Sequence, residues 1–388
     1  MKNSGIGILL LLLLLLLLVS SWARAITVAA ERPEQYLPLL KGKNVGVVVN
    51  HTSLVGERHL VNFLLSQNVN VSKIYSPEHG FKGQASAGEK IKDSVSPMNN
   101  LPLLSLYGET KKPTPSMLKN IDILVFDIQD VGARFYTYIS TMHYVMEAAA
   151  EQGIPLIILD RPNPNGKYVD GPIRDSKQQS FVGMHPIPVL HGMTVGELAL
   201  MIKGEQWIKQ AEELILHVIP VADYNKTKPY PLPVPPSPNL PNDIAVSLYP
   251  SLCFFEATVV SVGRGTPYPF QLIGHDRVKL GHMSVTPISQ PAAISPKLEG
   301  KRLFAQDLRQ SPRQGLQLTY LIEAHRRFTK AGETFFDRPG FMDKLAGTHA
   351  LREAIEQGLD EMTIRTSWQH DLDKFHQLRE PYLLYPVQ

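Results

Sequence analysis

Four short apolar runs restrict this chain more than any other feature. "NVGVVVN" (Asn44 to Asn50), "VSKIYS" (Val71 to Ser76), "IDILVFDIQ" (Ile121 to Gln129) and "IPLIILD" (Ile154 to Asp160) are rich in β-branched residues. They are too short for core helices and read as strands. "ILVF" and "LIIL" are apolar without alternation, so both faces of those strands must be covered. That is the condition of a parallel sheet flanked by helices. Helix-compatible segments lie between the runs, near Glu57 to Ser66 and over "TYISTMHYVMEAAAEQG", where Gly153 supplies a stop. "RPNPNG" after the fourth run is a turn cluster. The order of elements predicts a Rossmann-like α/β domain.

From about Asp223 the texture changes. "YNKTKPYPLPVPPSPNLPND" is too proline-dense for a regular helix or a central strand. Beyond it, "ATVVSVGRGTPYPF" reads as strand and turn, while "GLQLTYLIEAHRRF" and "DKLAGTHALREAIEQG" read as helices. The pattern predicts a smaller α+β domain over 244–388, after a first domain over 26–243 that ends in the proline-rich connector.

Residues 1–25 carry a different message. Lys2, the apolar run Ile6 to Val19 and Ala23-Arg24-Ala25 have the layout of a secretory signal peptide. The run is short for a membrane span, which needs about 20 apolar residues. The expectation is therefore an exported chain, periplasmic or secreted, with no stable membrane insertion once the leader is removed. Cys253 is the only cysteine, so no internal disulfide can form, which suits a bacterial periplasm and a core that stands alone. Lys and Arg number 39 against 36 Asp and Glu, and losing the leader leaves 37 against 36. No basic field points to nucleic acid.

In an open parallel sheet, ligands sit beyond the carboxyl ends of the strands. Polar residues gather at those ends here. "SPEHGFKG" brings Glu78 and His79; "DIQDVGAR" brings Asp127, Gln129, Asp130 and Arg134; "DRPNPNG" brings Asp160, Arg161, Asn163 and Asn165. Any of the aspartates can instead cap a helix or pair with an arginine. Glu78, between Pro77 and Gly80, has no such duty in view and is the best candidate for chemistry. Phe135, Tyr136, Tyr138 and Tyr107 offer faces for sugar stacking, though most aromatics beside a strand belong to the core.

Other chemistries lack their letters. The nearest approach to G-x-S-x-G is "GMTVG" (Gly192 to Gly196), with threonine at the nucleophile position. No Walker loop is present, and "GRG" at Gly263 lacks a dinucleotide setting. His79, His185 and His191 have no metal spacing, so neither metal nor cofactor is expected. Carboxylate acid catalysis, as in glycoside hydrolysis, fits what remains.

Several long motifs in fixed order, "SPEHGFKG", "DILVFDIQDVGARFYTYISTM", "LDRPNPNG", "PIPVLHGMTVGEL", "PPSPN" and "GRGTPYPF", resemble those of exo-β-N-acetylmuramidases of the NamZ type. The resemblance implies a glycosidase that releases terminal β-linked N-acetylmuramic acid (MurNAc) from the non-reducing end of peptidoglycan disaccharides and glycan fragments. It also implies a cleft between a Rossmann-like and a smaller domain. Carried over by motif, Glu78 is the acid, with Asp127 and Asp130 as further catalytic candidates. His79, Arg134, Tyr138, Asn163 and Asn165 would contact substrate. Glu256 of "FFEAT" and Arg264 of "GRGT" would close the cleft and meet the lactyl carboxylate. Relatives tend to read E-G-T where this chain has Glu256-Ala257-Thr258. A muropeptide-binding protein without turnover, or an esterase or amidase, are the alternatives.

Overall fold

The computed structural model describes residues 25–96 and 99–387. The leader expected over residues 1–25 lies, apart from Ala25, outside them. Along the chain, β1 (Asn44–Val49) is followed by a ribbon of β2 (Leu54–Val55) and β3 (Arg58–His59). Then come β4 (Asn70–Ser76), β5 (Ser94–Val95), β6 (Pro102–Ser105), β7 (Ile123–Asp127), β8 (Leu156–Leu159) and β9 (Leu216–Ile219). All but the ribbon form one sheet in the order β5-β6-β4-β1-β7-β8-β9, parallel except for β5. The four apolar runs are its four central strands.

Strand periodicity assigns the faces. Val45, Val47, Val49, Val125 and Leu159 join one core with Tyr36 and Leu40 of the helix Pro33–Leu40 and Leu60 and Leu64 of Leu60–Ser66. Val48, Leu124, Phe126, Leu156 and Ile158 join the other, with Ile139 and Met142 of Tyr138–Gln152 and Leu198 of Val195–Gly204. Each such burial contributes about 1.5–3 kcal/mol, so the two-sided apolar pattern is satisfied only by this sandwich. Gly46 is required where the layers are tightest: a Cβ there would stand 2.8 Å from Leu124 Cδ2 and 2.9 Å from Tyr75 Cε2.

The chain passes from β1 to β4 and β6 on one side, then crosses to β7, β8 and β9 on the other. Strand order reverses between β1 and β7, so their carboxyl ends flank the crevice where such sheets bind ligands, and the carboxyl end of β4 lies next to it, beside β1.

The second part holds an antiparallel sheet of β10 (Leu272–His275), β11 (Met283–Val285) and β12 (Leu303–Asp307), with helices around it. Two readings of the sequence need correction here. "ATVVSVGRGTPYPF" forms no strand; a single bridge joins Ser261 to Gly274. Side chains of Thr258, Ser261 and Thr266 bond the local backbone, which competes with a ladder. "DKLAGTHALREAIEQG" is broken into Pro339–Ala346 and Ala350–Glu356, because Gly347 adopts a left-handed φ of 75° at the end of the first helix. The parts share one core: the Phe135 ring lies 5.4 Å from Tyr249 and 5.7 Å from Phe254.

Candidate active site

Glu78 follows β4 and is 8% exposed. Its Oε1 accepts the N–H of Gly88 at 2.9 Å and its Oε2 accepts the Thr137 hydroxyl at 2.6 Å. The Tyr107 hydroxyl also bonds it, and burial followed by the Glu78 charge raises that phenol's proton affinity. Tyr107 is half-buried, and its ring and that of Phe181 lie under Lys111 Nζ, at 5.4 and 3.9 Å. Neighbouring His79 has a left-handed φ of 68°, uncommon for a residue with a side chain and frequent at functional sites. Its Nδ1 is 2.7 Å from the Ala85 carbonyl, so Nδ1 carries the proton and Nε2 is left as an acceptor. Burial holds the imidazole below its ordinary range, against the pull of Glu78.

Asp127 departs from the arrangement the sequence suggests. It ends β7 with the parity of Val125 and therefore turns to the face opposite the helix Tyr138–Gln152, whose N-terminal Thr137 holds Glu78. There it is fully buried in a two-pronged ion pair: Arg161 Nε lies 2.5 Å from Oδ1 and Nη2 2.9 Å from Oδ2. Arg161 spends a further N–H on the Leu54 carbonyl. Asp127 is thus held in an ion pair and not left as a free carboxylate. Asp160, at the end of β8, is equally spoken for, accepting from the Thr194 and Tyr385 hydroxyls and from the N–H groups of Arg161 and Gly196.

Asp130 differs. One oxygen accepts the Gly132 N–H at 2.6 Å, and the other has no donor among the described residues. Burial pushes the carboxyl up to about 7, against the Gly132 and Val131 N–H groups. Its charge is felt by Tyr136 and Tyr138, and Tyr138 also feels Glu78, so the two carboxyls share a neighbouring phenol. Both phenols donate to the Pro236 carbonyl, which makes the proline-rich connector a wall of this region. Gln129 Oε1 and Ser76 Oγ, beyond or at the ends of strands that flank β1, are likewise buried without partners among the described residues.

Three other candidates brace this loop. Arg134 is fully buried and donates to the carbonyls of Pro172, Ile187 and Leu345. Asn163 holds Met193 O and Asn165 N, and Asn165 holds Val131 O. Gly132 has to be glycine, since its φ is 76° and a Cβ would fall 2.0 Å from Asn163 Oδ1.

From the second part, Arg264 Nε binds Glu256 Oε1 at 2.9 Å, with side chains 22% and 27% exposed. Burial opposes the Glu256 charge, but Arg264, Lys297 and Arg338 together hold its carboxyl below the usual range. These four residues line a cavity of about 360 Å³ together with Ser86 and Ala87. Gly88, next in that loop, is the residue that bonds Glu78, and His79 feels the Arg264 charge. The cavity thus adjoins the acid. Ala257 ends a 3-10 turn with no left-handed backbone, so alanine fits there.

Thr137, Gly88, Lys297 and Arg338 were not singled out from the sequence. Thr137 lies inside a recognised motif; the other three sit in segments with no local signal. Thr194 of "GMTVG" is a helix cap with a reciprocal bond to Glu197, not an exposed nucleophile. Cys253 is buried and free. Among the described residues, no group of three or more His, Cys, Asp or Glu is placed to hold a metal ion, and no helix is long and apolar enough to cross a membrane.

Comparison with known proteins gives consistent matches along the chain. Residues 45–244 match the family described as exo-beta-N-acetylmuramidase NamZ, N-terminal, and residues 247–385 its C-terminal counterpart. The peptidoglycan beta-N-acetylmuramidase NamZ of Bacillus subtilis (strain 168) is 38% identical over 375 residues, covering 90% of this chain and 89% of its own. Two crystal structures of DUF1343 family proteins from Bacteroides fragilis NCTC 9343 share the fold. One has a TM-score of 0.86 at 43% identity and covers 94% of this chain and 99% of its own. The other has a TM-score of 0.80 at 30% identity and covers 93% and 99%.

Proposed function

The chain belongs to the NamZ family of exo-β-N-acetylmuramidases, and on that premise we propose how its residues do the work of a glycosidase on peptidoglycan. It removes β-linked MurNAc from the non-reducing end of cell-wall fragments. Glu78 is the general acid that protonates the leaving glycosidic oxygen. The observation that carries this is its setting. It is a buried carboxyl held at both oxygens by neutral donors, one strand from the strand-order reversal and beside a cation-rich cavity. Neutral donors fix its direction without an ion pair that would neutralise it, as Arg161 does for Asp127.

Arg264, Lys297 and Arg338 outnumber Glu256 around the adjoining cavity, which suits the lactyl carboxylate that distinguishes MurNAc from its unsubstituted parent sugar. Asp130 is a second buried carboxyl that shares Tyr138 with Glu78 as a neighbour, and it is the candidate to assist water attack. The three residues of Ala23-Arg24-Ala25 mark the cleavage site of a leader that sends the enzyme to the periplasm or beyond.

Glu78→Gln keeps size and hydrogen bonds but cannot donate a proton. MurNAc release from a MurNAc-GlcNAc disaccharide should fall by about 10²–10⁴-fold with an unchanged circular dichroism spectrum. Full activity in that variant removes Glu78 from the role of acid. Wild-type protein that binds the disaccharide without releasing MurNAc would mark a binding protein instead.

A further inference from the structure

A second cavity, of about 640 Å³, shares no lining residue with the one beside Glu256. It lies where Pro172–Asp175 and Trp207 meet the helices Ala350–Glu356, Glu361–Thr366 and Gln369–Arg379. Trp207, Leu351, Ile364, Trp368, Phe375 and Leu378 make its lining mainly apolar. Its size is within the range of pockets that take small molecules, about 300–1,000 Å³.

Asp175, Asp371 and Lys374 also reach its wall, but of its charged groups only Arg174 is buried. Arg174 is 8% exposed and forms no salt bridge among the described residues. Its two terminal nitrogens donate to the Asp175 and Met184 carbonyls, and its Nε is shielded from solvent without an acceptor among the described residues, so a ligand would meet the terminal nitrogens. Arg134 stands close behind it, fully buried, with carbonyls but no carboxylate for partners. Burial, then the Arg174 charge, pulls the Arg134 guanidinium down to about 9. Nearby His185 is held neutral by burial.

Among the described residues, no acid around the cavity is ion-paired with either guanidinium. The Asp175 charge favours the Arg174 cation, but its Oδ1 accepts the Lys177 N–H in a turn and no ion pair joins the two. Asp371 faces Lys374 at 3.6 Å on the exposed rim. Buried cations are ordinarily paired with an acid, and here two guanidiniums have only carbonyls. Only Thr348 and Ser367 bring hydroxyls to the lining, too few to satisfy a sugar.

We propose that this cavity is a second binding site, for a small monocarboxylate with an apolar body, the carboxylate meeting Arg174 and the body lying against Trp207 and Trp368. The site is independent of the muramidase reaction. The sequence holds three tryptophans, and two of them line this cavity, so intrinsic fluorescence reports on it directly.

Decanoate titrated into the full chain should change tryptophan emission saturably. Decanamide, which lacks the charge, should bind at least about tenfold more weakly. N-acetyl-phenylalanine is the second probe: the tighter of the two acids tells whether an aliphatic acid or a peptide end is the natural source. Leu378→Glu puts a negative charge at the mouth, on a side chain already 40% exposed, and should weaken decanoate by about tenfold or more. MurNAc release by that variant should stay at the wild-type level. Absence of saturable binding by either acid, equal binding of the amide, or unaltered binding in Leu378→Glu overturns the proposal.

Discussion

Removing the carboxylate of Asp127 should cost this protein its stability before its chemistry. In Asp127→Ala, Arg161 loses two bonds of 2.5 and 2.9 Å and keeps one, of 3.0 Å, to the Leu54 carbonyl. The guanidinium is 2% exposed, so water cannot replace what is lost. Breaking a buried pair from one side costs about 3–5 kcal/mol, most of it the burden of an unpaired charge. At a urea slope of about 3 kcal/mol/M, the unfolding midpoint should fall by about 1–1.7 M. Replacing both partners, in Asp127→Leu with Arg161→Leu, removes the stranded charge and should recover a large part of the loss. The assay is urea unfolding of the parent, both single variants and the double variant. MurNAc release is measured alongside, at a temperature where each remains folded. A midpoint within about 0.2 M of the parent together with a hundredfold loss of turnover would place Asp127 in the chemistry and refute the framework reading.

Asp130 gives a pH signature. Its carboxyl ionises at about 7 in the folded chain and near 3.8 otherwise, so between those values the unfolded chain releases a proton that the folded chain keeps. Stability therefore falls as pH rises from about 4 to 7, and Asp130→Asn should gain on the parent by up to about 4 kcal/mol across that window. A pH-independent difference in urea midpoint would rule this out. Arg264→Met should raise KM about tenfold or more on a MurNAc substrate with a free lactyl carboxylate, and change it little when that group is amidated. Equal effects on both substrates would remove Arg264 from carboxylate recognition.

Local sequence determined the sheet. β-branched runs that are apolar on both faces can be buried only between two helical layers, and Val45, Val47 and Val48 went where their alternation sends them. The motifs after β4 and β7 likewise announced polar groups at strand ends, because no core position tolerates Glu78 or Asp130 without a purpose. Which of those groups face the crevice was decided by tertiary structure. Asp127 and Glu78 end neighbouring regions of one sheet, yet strand parity turns the first toward Arg161 and the other face. A one-residue step is enough to reverse a side chain. Cooperation across long sequence separations was also beyond the letters: Thr137 with Glu78, Pro236 with Tyr138, Lys297 and Arg338 with Glu256. Such pairs arise from how layers pack, and a contact between residues a hundred positions apart leaves no periodicity for a single sequence to display.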